Sequence, residues 1–249
     1  MTLLTDTDLY LRGAETLIAS WEAIARGSRD AAVLRSRGVA AAVFPHPPER
    51  GVYNNAFLRR NLGPVERVAA VDRMETAYTA AGVDRFAAWV HESDLSMRDE
   101  LETRGYTIDM STRAMGLALG DIRLPRPALE LARAGWPEYV RSLEAVELPR
   151  GLLAGVDPSA FEVLVARDEG ATVATGLAFD FGDDCGIYNV STVERERRRG
   201  LGTALTARLV HDAAERGCST ASLQSTEMAE RVYVAVGFRN LGRFLEYVP

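Results

Sequence analysis

The sequence contains no lysine, so its 29 basic residues are all arginine. A P-loop needs the run Gly-Lys followed by Ser or Thr, and the lack of lysine excludes that kind of nucleotide site. Cysteine and histidine are scarce as well, with two and three residues. Because Cys185 and Cys218 are isolated and the histidines lack metal-ligand spacing, we predict neither a disulfide framework nor a metal site.

Long apolar segments and a basic surface are also absent. The longest apolar runs, such as Val39–Phe44, are far shorter than the roughly 18 residues needed to cross a bilayer. The N-terminus is acidic and has no long apolar core, so we expect no secretory signal. A net charge of −6 and a pI near 5.3 argue against a general binder of nucleic acid or anionic membranes. We therefore expect a cytoplasmic protein with neither kind of partner.

The composition is that of an ordinary globular protein. Hydrophobic residues make up 47% of the 249 residues and charged residues 26%, which suits one large domain or two small ones. Apolar periodicity predicts a helix over residues 8–35 and a strand over Val39–Phe44. Strand and helix patterns alternate through the rest of the chain, so we predict an α/β fold. The segment Leu124–Pro127 interrupts this pattern and is interpreted as a connector between two halves.

Residues 190–202 are the most informative stretch. Their pattern predicts the end of a strand, Cys185–Val193, then a basic loop and the start of a helix that ends at Gly217. Gly200 and Gly202 each cost about 0.5–1 kcal/mol relative to alanine, unless the backbone must approach something closely. The first turn of a helix has unpaired N–H groups and a partial positive charge, which suits a phosphate. Three consecutive arginines beside it favour a pyrophosphate. Alternatively, the arginines are a solvated charge run and the glycines only end a turn.

Two motifs around this loop point to a known family. A dinucleotide-binding fingerprint would need a small residue three positions after Gly202, and position 205 is Leu. The pattern Arg197-x-x-Gly200-x-Gly202 instead resembles the loop of the GCN5-related N-acetyltransferases (GNAT). Downstream, the segment 226–238 resembles the closing motif of that family, in which a helix carries a tyrosine four residues before Gly-Phe. The two motifs occur in the family's order.

The resemblance implies an acetyl-CoA site built largely from backbone groups. The preceding strand would pair with the pantetheine arm, and the N–H groups of Thr192 and Val193 would hold the oxyanion. Tyr233 matches the tyrosine that donates a hydrogen bond or proton to the CoA sulfur. Thr226 stands where many members have an asparagine that contacts CoA, and it is also an N-cap candidate. The loop residues that would bind the pyrophosphate are Arg197, Arg198, Arg199, Gly200, Leu201, Gly202 and Thr203.

The general base is harder to assign, because members of the family use Glu or Asp, frequently through water. Glu194, directly after the key strand, is our candidate; alternatively it pairs with Arg197 or Arg199. On the strand itself, Tyr188 or Asn189 would face the acceptor. Three carboxylates near the preceding turn could attract a cationic amine by charge; they are Asp180, Asp183 and Asp184.

The two halves of the chain follow a similar order of elements. In each half, a strand containing Tyr-Asn is followed by a helix, a strand, a second helix and a glycine next to an aromatic residue. The first half runs from Val52-Tyr-Asn54 to Gly105-Tyr106, and the second from Ile187-Tyr-Asn189 to Gly237-Phe238. The resemblance thus extends to tandem GNAT proteins, in which each domain is a mostly antiparallel twisted sheet flanked by helices. Residues 1–123 would be a degenerate GNAT-like domain and residues 124–249 the acetyl-CoA-binding domain. The first half has Arg59–Pro64 in place of the phosphate loop, and proline lacks an N–H donor, so we expect no CoA there.

The resemblance implies an N-acetyltransferase that moves an acetyl group from acetyl-CoA to a primary amine without a metal. Direct transfer is expected, since neither cysteine lies within the cofactor motifs. The acceptor would be a small-molecule or peptide amine, and a homodimer stays open. Two alternatives remain: a catalytically silent acyl-CoA-binding or sensor protein, and an acyltransferase with a hydroxyl acceptor.

Overall fold

The structure is a computed structural model that describes residues 4–46, 53–143, 153 and 155–249. Helices and strands alternate in the mixed α/β manner predicted. The helices are α1 (Asp6–Arg26), α2 (Pro64–Ala80), α3 (Leu95–Thr103), α4 (Trp136–Ser142), α5 (Leu201–Arg216) and α6 (Glu230–Val236). The strands are β1 (Ala32–Ser36), β2 (Val39–Val43), β3 (Asn55–Leu58), β4 (Ala87–His91), β5 (Thr107–Ala118), β6 (Ala132–Arg133), β7 (Glu162–Asp168), β8 (Ala171–Phe181), β9 (Asp184–Thr192), β10 (Thr220–Ser225) and β11 (Arg239–Val248).

The chain forms two compact units, each built from separate segments. The first unit takes the described residues of Met1–Ser20, Arg113–Arg150 and Asp157–Leu241. The second unit takes those of Trp21–Thr112, Gly151–Val156 and Gly242–Pro249. The predicted division between residues 123 and 124 does not coincide with these boundaries, and the tandem-domain interpretation stays a prediction.

The first unit contains strands in the order β5-β10-β9-β8-β7-β6. Strand β9 runs parallel to β10, whereas the other neighbouring pairs are antiparallel. Helix α5 makes the crossover between the two parallel strands, as such a connection requires. The predicted phosphate loop is the connection between the C-terminal end of β9 and the start of α5.

The core of the first unit lies between α5 and the sheet. Leu205 and Leu209, four residues apart, are fully buried, and they pack with Ile187 of β9 and Leu223 of β10. Full burial of each large aliphatic side chain stabilises the fold by about 1.5–3 kcal/mol. The buried leucines therefore hold α5 against the sheet and fix where its N-terminus lies.

The second unit has the strand order β1-β2-β3-β4-β11, in which β3 and β4 are parallel and the other pairs antiparallel. Helix α2 connects the parallel pair. Its Tyr78 stacks on Phe86, with ring centroids 4.1 Å apart. Met74 of α2 and Met97 of α3 belong to the same buried cluster as Ala88 of β4. One face of this sheet is thus covered by α2 and α3.

The prediction of one helix over residues 8–35 is wrong at its C-terminal end. Helix α1 ends at Arg26, and Ala32–Ser36 forms strand β1, antiparallel to β2. The backbone turns at Gly27 and Ser28, whose N–H groups bond to the carbonyls of the last helical turn. Asp30 follows with a φ of 56°, in the left-handed region. The helical pattern therefore stops at Gly27, and β1 gains the backbone hydrogen bonds of its pairing with β2.

Glu246 on β11 gives the second unit a pH-dependent stability. The side chain is 8% exposed, and burial, with a smaller contribution from the charge of Asp109, raises its pKa from 4.5 to about 7. A group with a raised folded-state pKa stabilises the fold below about pH 4.5, and this stabilisation is lost as the pH rises through about 7. The full rise corresponds to about 3 kcal/mol.

We therefore expect Glu246→Gln to be more stable than the wild type at about pH 8, by up to about 3 kcal/mol, and of similar stability at about pH 5. Urea unfolding of both proteins at the two pH values measures this difference. A difference that is the same at both pH values would show that Glu246 does not titrate as its surroundings imply.

Candidate acetyl-CoA and acyl-transfer site

The two parallel strands of the first unit are paired only at their beginnings. Their register runs from Asp184 opposite Thr220 to Gly186 opposite Ser222. Both strands continue beyond this point, β9 to Thr192 and β10 to Ser225, without further pairing between these described strands. The backbone of β9 after Gly186 therefore has an edge, on the side away from β8, that is paired with no described strand. We call this segment, residues 187–192, the open β9 edge.

A β-bulge lies at the open β9 edge. Thr175 is opposite Ser191, but two positions further along β8, Leu177 is opposite Tyr188, so β9 carries one extra residue. Asn189 within this bulge has a φ of 50°, a left-handed conformation that asparagine tolerates better than most residues. Its Nδ2 donates to the hydroxyl of the fully buried Tyr139 at 2.7 Å. Because a bulge bends its strand, this contact supports the divergence of β9 from β10.

The direction of the last N–H groups on β9 follows from the ladder with β8. Val193 N–H donates to the carbonyl oxygen of Val173 at 2.9 Å, and Thr192 is opposite Ala174. Hydrogen-bonded and non-hydrogen-bonded pairs alternate in an antiparallel ladder, so Thr192 N–H points away from β8. Of the two N–H groups predicted to hold the oxyanion, that of Thr192 points out of the open β9 edge. The prediction for Val193 needs correction, because its N–H already donates to Val173 within the sheet.

The basic loop ends in a helix start without a side-chain cap. After a 3₁₀ turn at Glu194–Glu196, Arg198 and Gly200 have φ values of 62° and 80°. Gly200 is the N-cap of α5, and no side-chain hydrogen bond caps the helix. The first intrahelical bond runs from Ala204 N–H to the Gly200 carbonyl. The N–H groups of the first helical turn are therefore available to an anion, at the positive end of the helix dipole.

The two glycines of the loop have different reasons to be glycine. Gly200 adopts the left-handed region, which disfavours any residue with a Cβ. Gly202 has no such constraint, and a Cβ added there would come no closer than 3.9 Å to Val190 Cγ1. The protein's own packing therefore leaves room for a methyl group at 202, so the described fold does not itself require glycine there.

The three arginines of the loop have different contacts. Arg197 Nε donates to the Thr192 carbonyl at 3.2 Å, and Arg199 pairs with the buried carboxylate of Glu196. Arg198 is exposed and makes no hydrogen bond or ion pair with a described residue. The alternative that Glu194 pairs with Arg197 or Arg199 is not what the structure has. Glu194 is exposed and has no ion pair within the described chain.

Tyr233 lies on α6 in the buried cluster of the first unit, 6% exposed and edge-on to Phe238. Burial raises the pKa of its hydroxyl to about 12, so it stays protonated near neutral pH. The hydroxyl has no partner among the described residues, yet it is not among their sealed, unpartnered polar atoms. It therefore reaches solvent as a free donor.

Thr226 and the acidic residues of the turn complete the predicted set. Thr226 occupies the N-cap position of a 3₁₀ turn, but its exposed side chain makes no capping hydrogen bond. Asp180 forms a two-bond ion pair with Arg216, at 2.6 and 2.8 Å. Asp184 is 2% exposed and accepts from Ser222 Oγ at 2.6 Å. Asp180 and Asp184 are thus engaged within the protein, which weakens their predicted attraction of an amine.

Sequence reasoning missed the Asn189–Tyr139 contact and the divergence of the parallel strands. An asparagine inside an apolar strand was the available signal, because asparagine is enriched in left-handed backbone conformations. Nothing in the sequence marks Tyr139 as its partner. Within the described chain, no helix is long and apolar enough to span a membrane. The same residues contain no group of three or more His, Cys, Asp or Glu that could hold a metal ion.

Comparison with known proteins agrees with this geometry. Residues 128–238 match the model of the acetyltransferase (GNAT) family. The matched region includes β9, the basic loop, α5 and Tyr233, and it supports a transferase enzyme. The GNAT resemblance is therefore confirmed over this region, while the tandem arrangement stays a prediction. A search of curated proteins gives no match.

Several solved structures have a similar fold. A GCN5-related N-acetyltransferase from Kribbella flavida aligns over 94% of both chains, with a TM-score of 0.71 and 20% identity. A GCN5-related N-acetyltransferase from Sphaerobacter thermophilus aligns over 84% of this chain and 76% of its own, with a TM-score of 0.58 and 19% identity. A GCN5-related N-acetyltransferase-like protein from Streptococcus suis aligns over 96% of this chain and 98% of its own, with a TM-score of 0.57 and 16% identity. At these identities the likeness establishes the fold.

Gly202→Ala separates the stability of the loop from its ligand binding. The methyl group fits, and alanine is the better helix former by up to about 1 kcal/mol, so thermal stability should stay the same or rise. Affinity for acetyl-CoA, measured by calorimetry, should fall by about tenfold or more, because the methyl group occupies the space of an approaching phosphate. Gly120→Ala, at a site with open space around its Cβ, is the matched control and should bind normally. Unchanged affinity in Gly202→Ala would place the phosphates elsewhere.

Proposed function

We propose that the first unit binds acetyl-CoA and that the protein transfers the acetyl group to a primary amine by direct transfer. One observation carries this proposal: the open β9 edge ends beside an uncapped helix N-terminus in the same unit. An extended ligand arm can pair with the edge as an added strand does. Its diphosphate can accept from the N–H groups of the helix.

The residues around the loop suit the diphosphate of CoA. The N–H groups of Leu201, Gly202 and Thr203 precede the first intrahelical bond of α5. Arg198 is free to add a charge-assisted hydrogen bond, worth about 1.5–3 kcal/mol. Arg197 and Arg199 add positive charge while their own contacts hold the loop in place. Thr226 completes the proposed cofactor contacts, because its exposed hydroxyl makes no capping hydrogen bond.

The chain's own groups can meet the demands of acyl transfer. Acetyl-CoA, when bound, supplies the thioester that the neutral amine attacks. Thr192 N–H, on the open β9 edge, donates to the thioester oxygen as negative charge develops on it. The Tyr233 hydroxyl would donate a hydrogen bond or its proton to the sulfur as the carbon–sulfur bond breaks, and it would regain a transferred proton from solvent. Glu194, exposed and unpaired within the described chain, accepts the amine proton through water.

The state of the cysteines supports direct transfer over an acetylated enzyme. Burial raises the pKa of the Cys185 thiol well above its usual value, and the nearby charge of Asp180 adds to the rise. Burial likewise raises the pKa of Cys218 to about 11. Because the thiolate is the nucleophilic form, both residues are poor nucleophiles near neutral pH.

The second unit supports the tandem proposal of a degenerate GNAT-like half. Its strands β2-β3-β4-β11 have the same sequence of antiparallel, parallel and antiparallel pairs as β8-β9-β10-β5. Pro64 begins α2 and has no N–H donor, whereas the N–H groups of Arg59 and Asn61 are bonded within the protein. The positions that correspond to the phosphate loop are therefore unsuited to CoA.

Binding and turnover test the proposal in sequence. Calorimetric titration of acetyl-CoA and free CoA into the wild type should show binding, and Gly202→Asp should lose it because a carboxylate would face the phosphates. CoA release is then measured with a panel of amines and compared with slow hydrolysis in their absence. Amine-dependent release supports the transferase. Binding without release would favour the acyl-CoA sensor, and no binding would refute the cofactor assignment.

Tyr233→Phe tests the proton donor. The hydroxyl has no partner among the described residues, so its removal should leave thermal stability and acetyl-CoA affinity nearly unchanged. Turnover should fall by about 100-fold, since a positioned general acid contributes about 10²–10⁴. The wild-type kcat–pH profile should show no loss from Tyr233 ionisation until about pH 12. A variant with wild-type kcat would remove Tyr233 from the mechanism.

A further inference from the structure

The second unit contains a buried carboxylate with no counter-charge among the described residues. Glu246 of β11 is 8% exposed, and its side chain makes no hydrogen bond or ion pair with any of these residues. The charge acting on it most is that of Asp109, which has the same sign. An unpaired carboxylate removed from water is costly, and a second negative charge nearby adds to the cost. A cation bound at this position would relieve both.

The carboxylate of Glu246 is within reach of a ligand. Several side-chain polar atoms of the described chain are both sealed from solvent and without a hydrogen-bond partner, Thr112 Oγ1 among them. The Glu246 oxygens are not in this group, although they too lack partners. They therefore touch accessible space while the rest of the side chain is enclosed.

An indole ring lies directly beside this carboxylate. Glu246 is paired with Trp89 across the β11–β4 ladder, so the two side chains are on the same face of the sheet. Trp89 is partly exposed, and its Nε1 donates to Asn55 Oδ1 at 3.2 Å, which fixes the ring orientation. Trp21 and Phe244 flank it, with ring centroids 5.9 and 5.8 Å from that of Trp89. A fixed indole next to a carboxylate offers ion pairing and cation–π attraction at one point.

We propose that Glu246 and Trp89 form a binding site in the second unit for a small organic ammonium ion. The carboxylate pairs with the ammonium group, and the aromatic side chains hold its alkyl substituents. A hydrated metal ion fits less well, because Ca²⁺ and Mg²⁺ require several oxygen ligands. An anion would be repelled by Glu246 and Asp109. The site is independent of acetyl transfer, because binding is expected without acetyl-CoA and includes quaternary ammonium ions that cannot be acetylated.

The test uses n-butylammonium and its neutral analogue 1-butanol on the full-length protein. Binding is followed by the NMR resonance of the Trp89 indole N–H, identified through Trp89→Phe. We expect n-butylammonium to bind in about the millimolar range and 1-butanol to bind at least about tenfold more weakly. Glu246→Gln, which keeps the shape and removes the charge, should lose about tenfold or more in affinity. Asp99→Asn, an exposed carboxylate of the same unit, is the control and should bind as the wild type does.

A second measurement keeps the test independent of the variants. In the wild type, the ¹³C resonance of the Glu246 carboxyl should titrate at lower pH when n-butylammonium is present, because a bound cation favours the ionised form. 1-Butanol should leave this titration unchanged. The proposal is overturned if the neutral and charged probes bind equally, if Glu246→Gln binds like the wild type, or if n-butylammonium leaves the Glu246 titration in place.

Discussion

The backbone pairing of one strand is the constraint on which the candidate site depends. A strand has two edges, and each N–H and C=O group on them needs a partner or access to water. Strand β9 is paired with β8 along its length, but with β10 only from Asp184 to Gly186. The bulge at Asn189, supported by Tyr139, coincides with the separation. The groups left on the open edge lie beside the start of α5, so an unpaired strand edge and an uncapped helix N-terminus occur together in the first unit.

The core of the first unit maintains this geometry at a distance from the chemistry. Helix α5 is held by buried leucines that contact β9 and β10, so its N-terminus cannot shift without loss of core packing. The loop between β9 and α5 needs few side chains of its own. Backbone N–H groups and two glycines provide its polar surface, while Glu196 and the Thr192 carbonyl hold two of its arginines. The polar surface of the loop therefore depends on its backbone conformation more than on the identity of its side chains.

Buried carboxylates of this protein are compensated in different ways. Glu196 is paired with Arg199, and Asp212 with Arg126 and Arg208. Asp184 accepts a hydrogen bond from Ser222. The side chain of Glu246 has no such partner among the described residues, and the charge of Asp109 acts on it. An enclosed carboxylate without a partner destabilises the fold. A ligand that supplies the missing charge gives this residue a reason to persist.

The sequence by itself determined the position of the candidate phosphate loop, the helix that follows it and the tyrosine on α6. These are local patterns, in which glycine, arginine and apolar residues recur at fixed spacings along one segment. It also excluded a P-loop, because lysine is absent. Only the tertiary structure decided that Thr192 N–H is open while Val193 N–H is bonded to Val173. The helix predicted to reach residue 35 likewise ends at Arg26, and the residues after it form β1 because they pair with β2. Such outcomes depend on which distant strand lies alongside, and no single segment carries that information.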